Sequence, residues 1–175
     1  MAVEWVRLQL DLETFDDAQF VPYLRRCQQS GIDFTTMADV GDTADYRRAL
    51  YELNKTCAAD IPDRGEFYTF DEYLNDRIET PTYDPRGVIL AVSSGVWVGM
   101  ATTSLRHTEG YAFSEMTGVL PSHRGQGISL AMKLLAIRFA RSSDMRRLRT
   151  LHHPCNAAAI GMNRRLGFVD DDPRP

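Results

Sequence analysis

Cysteine is scarce in this 175-residue chain, and the three present, Cys27, Cys57 and Cys155, are odd in number and far apart. With no C-x-x-C pair and no histidines at ligand spacing, neither a disulfide framework nor a structural zinc site is expected, and no metal is called for. No run approaches the ~18 consecutive apolar residues of a membrane span. The opening Met1-Ala2-Val3-Glu4-Trp5 lacks the basic and apolar pattern of a signal peptide. A cytoplasmic chain without a membrane partner is the expectation. An excess of positive charge is also lacking: 20 Lys+Arg against 24 Asp+Glu leave a formal net charge of -4, which argues against nucleic acid as a partner. Arg138, Arg141, Arg146, Arg147 and Arg149 form a local basic run, read mostly as a helix end and solvated surface. Repeats and low-complexity linkers are missing too. The length and an apolar content of 43% suit one domain, 1–175, with a sizeable core.

Two common nucleotide-binding signatures are absent. No G-x-G-x-x-G follows the first apolar strand, and no G-K-[S/T] occurs. What is present is Thr117-Gly118-Val119-Leu120-Pro121-Ser122-His123-Arg124-Gly125-Gln126-Gly127-Ile128-Ser129, which joins an apolar strand to a long amphipathic helix through a glycine-rich turn. Glycines at 125 and 127 let a ligand approach the backbone, and the first helical turn has N–H groups without intrahelical partners. The helix dipole and Arg124 add positive charge, so the turn is built to cradle an anion such as a diphosphate.

The run Arg124-Gly125-Gln126-Gly127-Ile128-Ser129 resembles the R-x-x-G-x-G/A pyrophosphate loop of the GNAT superfamily of acetyl-CoA-dependent N-acetyltransferases, with Ser129 where Gly or Ala is usual. Asn156-Ala157-Ala158-Ala159-Ile160-Gly161-Met162-Asn163-Arg164-Arg165-Leu166-Gly167-Phe168 resembles that family's N-x-x-[A/M]-x-x-x-[Y/N]-x-x-L-G-F helix. The resemblance covers about residues 85 to 170 well and the first half loosely. It implies acetyl-CoA as co-substrate, bound by Thr117, Gly118, Val119, Arg124, Gly125, Gln126, Gly127, Ile128, Ser129, Asn156 and Asn163. It also implies an α/β fold with a mixed, largely antiparallel central sheet flanked by helices, its fourth and fifth strands splayed to admit the pantetheine arm.

Periodicity gives the elements. Val3–Leu10 reads as a strand, and Thr14 caps a helix that either kinks or restarts at Pro22. A short strand lies within Ile32–Val40, and a helix opens at Thr43 with Tyr46, Ala49, Leu50, Leu53 and Cys57 on one face. Residues 60–68 read as loop, and Thr69-Phe70-Asp71-Glu72 is a capping box for a short helix to Arg77. Three antiparallel strands follow, about Val88–Val92, Val96–Thr102 and Tyr111–Val119. A helix from Gly125 to Arg141, a strand from Leu148 to His152 and a helix from Asn156 to Leu166 complete the order. The C-terminus is shortened relative to the family, with room for at most one strand after Phe168. The edge so left open points to a homodimer.

Acetyl transfer to an amine needs a base and a donor for the leaving thiolate. By alternation Phe113, Glu115 and Thr117 share a face, which puts Glu115 near the family's thioester position and makes it the first base candidate. His152 and His153 follow the fifth strand, one toward the gap and one away. Many family members use a tyrosine as the acid where this chain has Asn163, so the acid is open. Asn156 is both a helix cap and, by resemblance, a pantetheine contact. The acids and aromatics of residues 60–71 suggest a cationic acceptor. The expected function is acetyl transfer from acetyl-CoA to a primary amine of a small molecule or peptide, the alternative being an acetyl-CoA-binding sensor without turnover.

Overall fold

The computed structural model describes residues 2–171. The terminal residues 172–175, on which part of the C-terminal expectation falls, lie outside the described residues. The strands are β1 (Val6–Asp11), β2 (Ile32–Thr36), β3 (Val88–Ser93), β4 (Val96–Arg106), β5 (Tyr111–Val119), β6 (Arg147–His152) and β7 (Val169–Asp170). The α-helices are α1 (Val21–Gln29), α2 (Ala44–Ala58), α3 (Phe70–Tyr73), α4 (Ile128–Ser142) and α5 (Ala157–Arg165).

All seven strands form one sheet in the order β2-β3-β4-β5-β6-β1-β7. Every pairing is antiparallel except β5 with β6, which is parallel. The strand order explains how the sheet ends. β1 enters between β6 and β7, pairing Val6–Asp11 with Arg147–His152 on one side and Leu8–Gln9 with Val169–Asp170 on the other. The single strand expected after Phe168 is β7, which covers only Leu8–Gln9 of β1 and forms that edge of the sheet.

Helices α1 and α4 cover one face of the sheet, and α2 and α3 the other. α4 is enclosed nearly all round, with Ile128, Leu130, Ala131, Met132, Leu134, Ala136, Ile137 and Ala140 buried between sheet and α1. A helix buried this way needs apolar residues on most of its circumference. On the opposite face, Leu50, Leu53 and Cys57 of α2 pack as expected, together with Tyr51 and Ala58. Tyr46 is exposed and stacks on Trp97 at 5.4 Å, so the buried stripe is turned away from the predicted one. Gly118 permits the close approach of α2: a Cβ there would sit 2.6 Å from Cys57 Cβ.

Local chemistry sets the remaining boundaries. Asp16, not Thr14, caps a 3-10 turn at Asp17–Gln19, and α1 then restarts with Pro22 in its first turn, where a missing N–H costs nothing. Thr69 and Glu72 form the reciprocal capping box of α3, which runs on through a π-turn at Leu74–Ile78. The basic run is balanced by acids: Arg138 and Arg141 bind Asp17, Arg147 binds Asp11, and Arg149 binds Asp171. Arg141 also donates to the carbonyls of Leu12 and Phe15, so it fastens the segment after β1 to α4.

Candidate active site between two splayed strands

β5 and β6 pair over three residues only, ending at Phe113 with Arg149. Beyond that point they diverge and enclose a cleft of about 430 Å³. The glycine turn stands beside it, because Arg124 and Ser129 on either side both line the cleft. Gly125 and Gly127 adopt φ of 77° and 80°, the left-handed region that glycine enters without strain. α4 has no side-chain cap, so its first-turn N–H groups stay available to an anion. The Ile128 side chain is buried, so it offers a backbone N–H group at most, and the Gln126 carbonyl accepts from Cys27 Sγ at 3.7 Å while the residue itself is exposed.

Arg124 donates Nε to the Val119 carbonyl at 3.0 Å and pairs with Asp60 at 2.8 Å. Both partners of that ion pair are well exposed, and such pairs contribute about 0–1 kcal/mol. Exchanging Asp60 for a phosphate therefore costs little. Asn156 accepts from Ala159 N–H at 3.3 Å as the cap of α5 and also lines the cleft, so both of its expected positions coincide. Thr117 Oγ1 and Asn163 Oδ1 are buried cleft atoms without partners. Buried polar atoms of this kind suit a ligand with amide and carbonyl groups.

Glu115 departs from simple alternation. Thr102 faces Met116 and Thr103 faces Ser114 across the β4–β5 ladder, so Glu115 is the extra residue of a β-bulge. The bulge resets the faces of β5. Ser114 reaches Lys133 of α4, whereas Glu115 and Met116 both turn toward α3 and its π-turn. Gly118 then meets α2 and Val119 the α4 side, which puts Thr117 on the opposite face from Glu115 rather than beside it. The Glu115 carboxylate accepts from Arg77, from Ser104 Oγ at 2.8 Å and from Arg106 at 3.3 Å.

A second cavity of about 440 Å³ lies on that side, with Tyr68, Tyr73, Tyr83 and Phe67 in its wall. Ile61, Arg64, Glu115 and Met116 line both spaces, so the cleft and the cavity meet at the bulge. Of the acids of the 60–66 loop, none lines this cavity; the loop contributes Arg64 instead. With Arg64, Arg77 and Arg106 against Glu115 and Asp76, the wall does not have the acidic character expected from the sequence.

Both histidines line the cleft, contrary to the alternate placement expected, because β6 ends at His152 and the chain turns there. His152 Nε2 lies 2.7 Å from Asn163 Nδ2, and burial together with the Lys133 charge pushes its pKa down to about 4. It is neutral at physiological pH. His153 stands edge-on to Trp5, with Nδ1 accepting from Cys155 N–H at 3.2 Å. Asp63, His153 and Cys155 bring three potential metal ligand atoms within 4.8 Å of one another, which sequence spacing did not suggest. With Nδ1 taken by the Cys155 N–H, Nε2 is the ring nitrogen that faces Asp63, at 3.8 Å and beyond hydrogen-bond distance. Cys57 also lines the cleft, but burial raises its thiol to about 11, which keeps it protonated and a poor nucleophile.

A seven-stranded mixed sheet, a splay between its two parallel strands and a glycine turn beside the splay are now in place. The acetyltransferase (GNAT) family model matches residues 27–168. The chain belongs to this family. Among relatives it is 29% identical over 134 residues to a mycothiol acetyltransferase of Frankia casuarinae, covering 70% of this chain and 38% of the relative. It is 31% identical over 126 residues to the mycothiol acetyltransferase of Thermobispora bispora, covering 69% and 42%. The chain thus spans about two fifths of these relatives' length. In fold it is similar to a GCN5-related N-acetyltransferase from Sphaerobacter thermophilus, with a TM-score of 0.66, 21% identity, and coverage of 95% of this chain and 48% of that one. It is also similar to AAC(6')-Iy in complex with a bisubstrate analogue, with a TM-score of 0.61, 21% identity, and coverage of 82% and 95%. No described helix is long and apolar enough to cross a membrane.

Lys133, Ser114, Arg64, Arg77 and Arg106 were not singled out from sequence. Lys133 alone carried a signal, as a charge between Met132 and Leu134 on an otherwise apolar helix.

Proposed function

We propose that this chain transfers an acetyl group from acetyl-CoA to a primary amine of a small molecule or peptide by direct attack. The observation that carries the proposal is the meeting of cleft and cavity at Glu115. In this account the diphosphate lies on the N–H groups of residues 125–129, with Arg124 released from Asp60 toward it. Thr117, Asn156 and Asn163 hydrogen-bond the pantetheine arm. The amine enters from the aromatic cavity, and Glu115, fixed by Arg77, Arg106 and Ser104, takes its proton directly or through one water. One of the three donors on Glu115 yields its place to the amine as it docks. His152, held neutral, orients the Asn163 amide. The similarity to chains named mycothiol acetyltransferase supports a small-molecule acceptor.

The test is release of free CoA thiol from acetyl-CoA across a panel of amines, run alongside calorimetry of acetyl-CoA binding. Binding with amine-dependent release is the expected result. Binding without release on any amine would favour a sensor module, and no binding would refute both readings of the cleft.

A further inference from the structure

Lys133 is the least expected side chain in the molecule. It is only 1% exposed, in the middle of α4, and still borders the cleft. Its ammonium donates to Ser114 Oγ at 2.8 Å and lies 5.1 Å from the centre of the Phe168 ring. Among the described residues no carboxylate pairs with it: the one titratable neighbour coupled to it is His152 on β6, and Glu115 lies on the opposite face of β5. A buried ammonium without a counter-charge is costly, and three N–H donors are poorly served by one hydroxyl and one ring face. A ligand in the cleft is the remaining source of an acceptor.

The surroundings mark the same point. Ser114 and Thr150 are the first residues beyond the last β5–β6 pair, and Thr150 Oγ1 donates to the Ser114 carbonyl at 3.3 Å. Thr150 Oγ1 also lies 3.4 Å from His152 Nε2, which meets Asn163. Asn163, 1% exposed, holds Oδ1 toward no protein partner. These polar groups gather where the strands part, on the side opposite Glu115. An acyl group passing between the strands would have the amine on one side and Lys133 on the other.

We infer that Lys133 gives a proton to the thiolate that leaves on acetyl transfer, filling the role left open by Asn163. The inference rests on the acetyl-CoA reading of the cleft. In the step, the amine nitrogen's lone pair forms the C–N bond, the C–S bond breaks with its pair going to sulfur, and sulfur takes the Lys133 proton. The excess proton on nitrogen goes to Glu115 or water, and Lys133 recovers one from solvent. Burial pulls the Lys133 pKa down to about 7, below the ~8.5 of an ordinary thiol, so the transfer runs downhill.

The test does not depend on knowing the acceptor. Calorimetry at pH 6, where Lys133 carries its charge, compares CoA with desulfo-CoA, in which hydrogen replaces the thiol, on the wild type and on Lys133→Met. The wild type should prefer CoA by about tenfold or more, the effect of one charge-assisted hydrogen bond. Lys133→Met should bind the two about equally, with a thermal midpoint unchanged or raised because an unpaired buried charge is gone. A CoA preference unchanged in Lys133→Met would overturn the inference. So would equal binding of both ligands by the wild type, which decides the matter even if the variant fails to fold. Failure of both ligands to bind would instead refute the acetyl-CoA reading of the cleft on which the inference depends.

Discussion

Replacing Glu115 by Gln keeps the side chain's shape and removes its charge, so it separates chemistry from architecture. Glu115 is 15% exposed and faces two guanidinium groups, each 35% exposed, with Ser104 as a third donor. The glutamine oxygen can still accept from Ser104 or one arginine, but its NH2 group meets donors. The two arginines are open enough to recruit water, so the cost in stability is about 1–2 kcal/mol, below that of breaking a fully buried pair. For a chain of this size that is a fall of roughly 2–8 °C in thermal midpoint. The kinetic effect should be larger: kcat/KM for amine acetylation should fall about 10²-fold or more through loss of the base. Acetyl-CoA affinity should hold, because no contact of Glu115 reaches the glycine turn. Stopped assays of CoA thiol release, calorimetry and a melting curve on one preparation give all three quantities. A folded Glu115→Gln variant with wild-type rates would refute the base role, and His152→Gln and His153→Gln would then be compared.

Two further outcomes follow from the same geometry. Gly127→Asp places a side chain at a φ of 80°, with its Cβ 3.2 Å from Tyr23, and sets a carboxylate at the N-terminus that is to receive a diphosphate. Acetyl-CoA affinity measured by calorimetry should fall at least about 100-fold in a folded variant. His152 has its pKa lowered from 6.5 to about 4, so the unfolded chain binds a proton near pH 6.5 that the folded chain refuses until about pH 4. Stability should therefore drop as pH falls through that window, by up to ~3 kcal/mol, and His152→Gln should flatten this part of the melting profile. An unchanged profile in the variant would assign the acid sensitivity to other groups.

The glycine turn, the order of elements and the capping box at Thr69 were legible because each rests on local chemistry within a few residues. Tyr111–Val119 was read with its ends correct for the same reason: Gly110 turns the chain before it and Pro121 ends it. The bulge at Glu115 was not legible, since the slip of register against β4 is decided by both strands together. It kept Glu115 next to the gap and turned Thr117 to the other face. Insertion of β1 between β6 and β7 was hidden likewise, because it joins the two ends of the chain. The acids of the 60–66 loop were legible as charges but not as directions. Asp60 turns to Arg124 and Arg64 turns inward, so the character of the second cavity could not be read from composition.

The most direct measurement is a crystal structure of the chain with acetyl-CoA bound. The account predicts the diphosphate on the N–H groups of residues 125–129, Arg124 parted from Asp60, and the acetyl carbonyl at the Glu115–Met116 bulge between the two cavities. A diphosphate elsewhere, or an acetyl group remote from Glu115 with the cleft between β5 and β6 left to solvent, would contradict it.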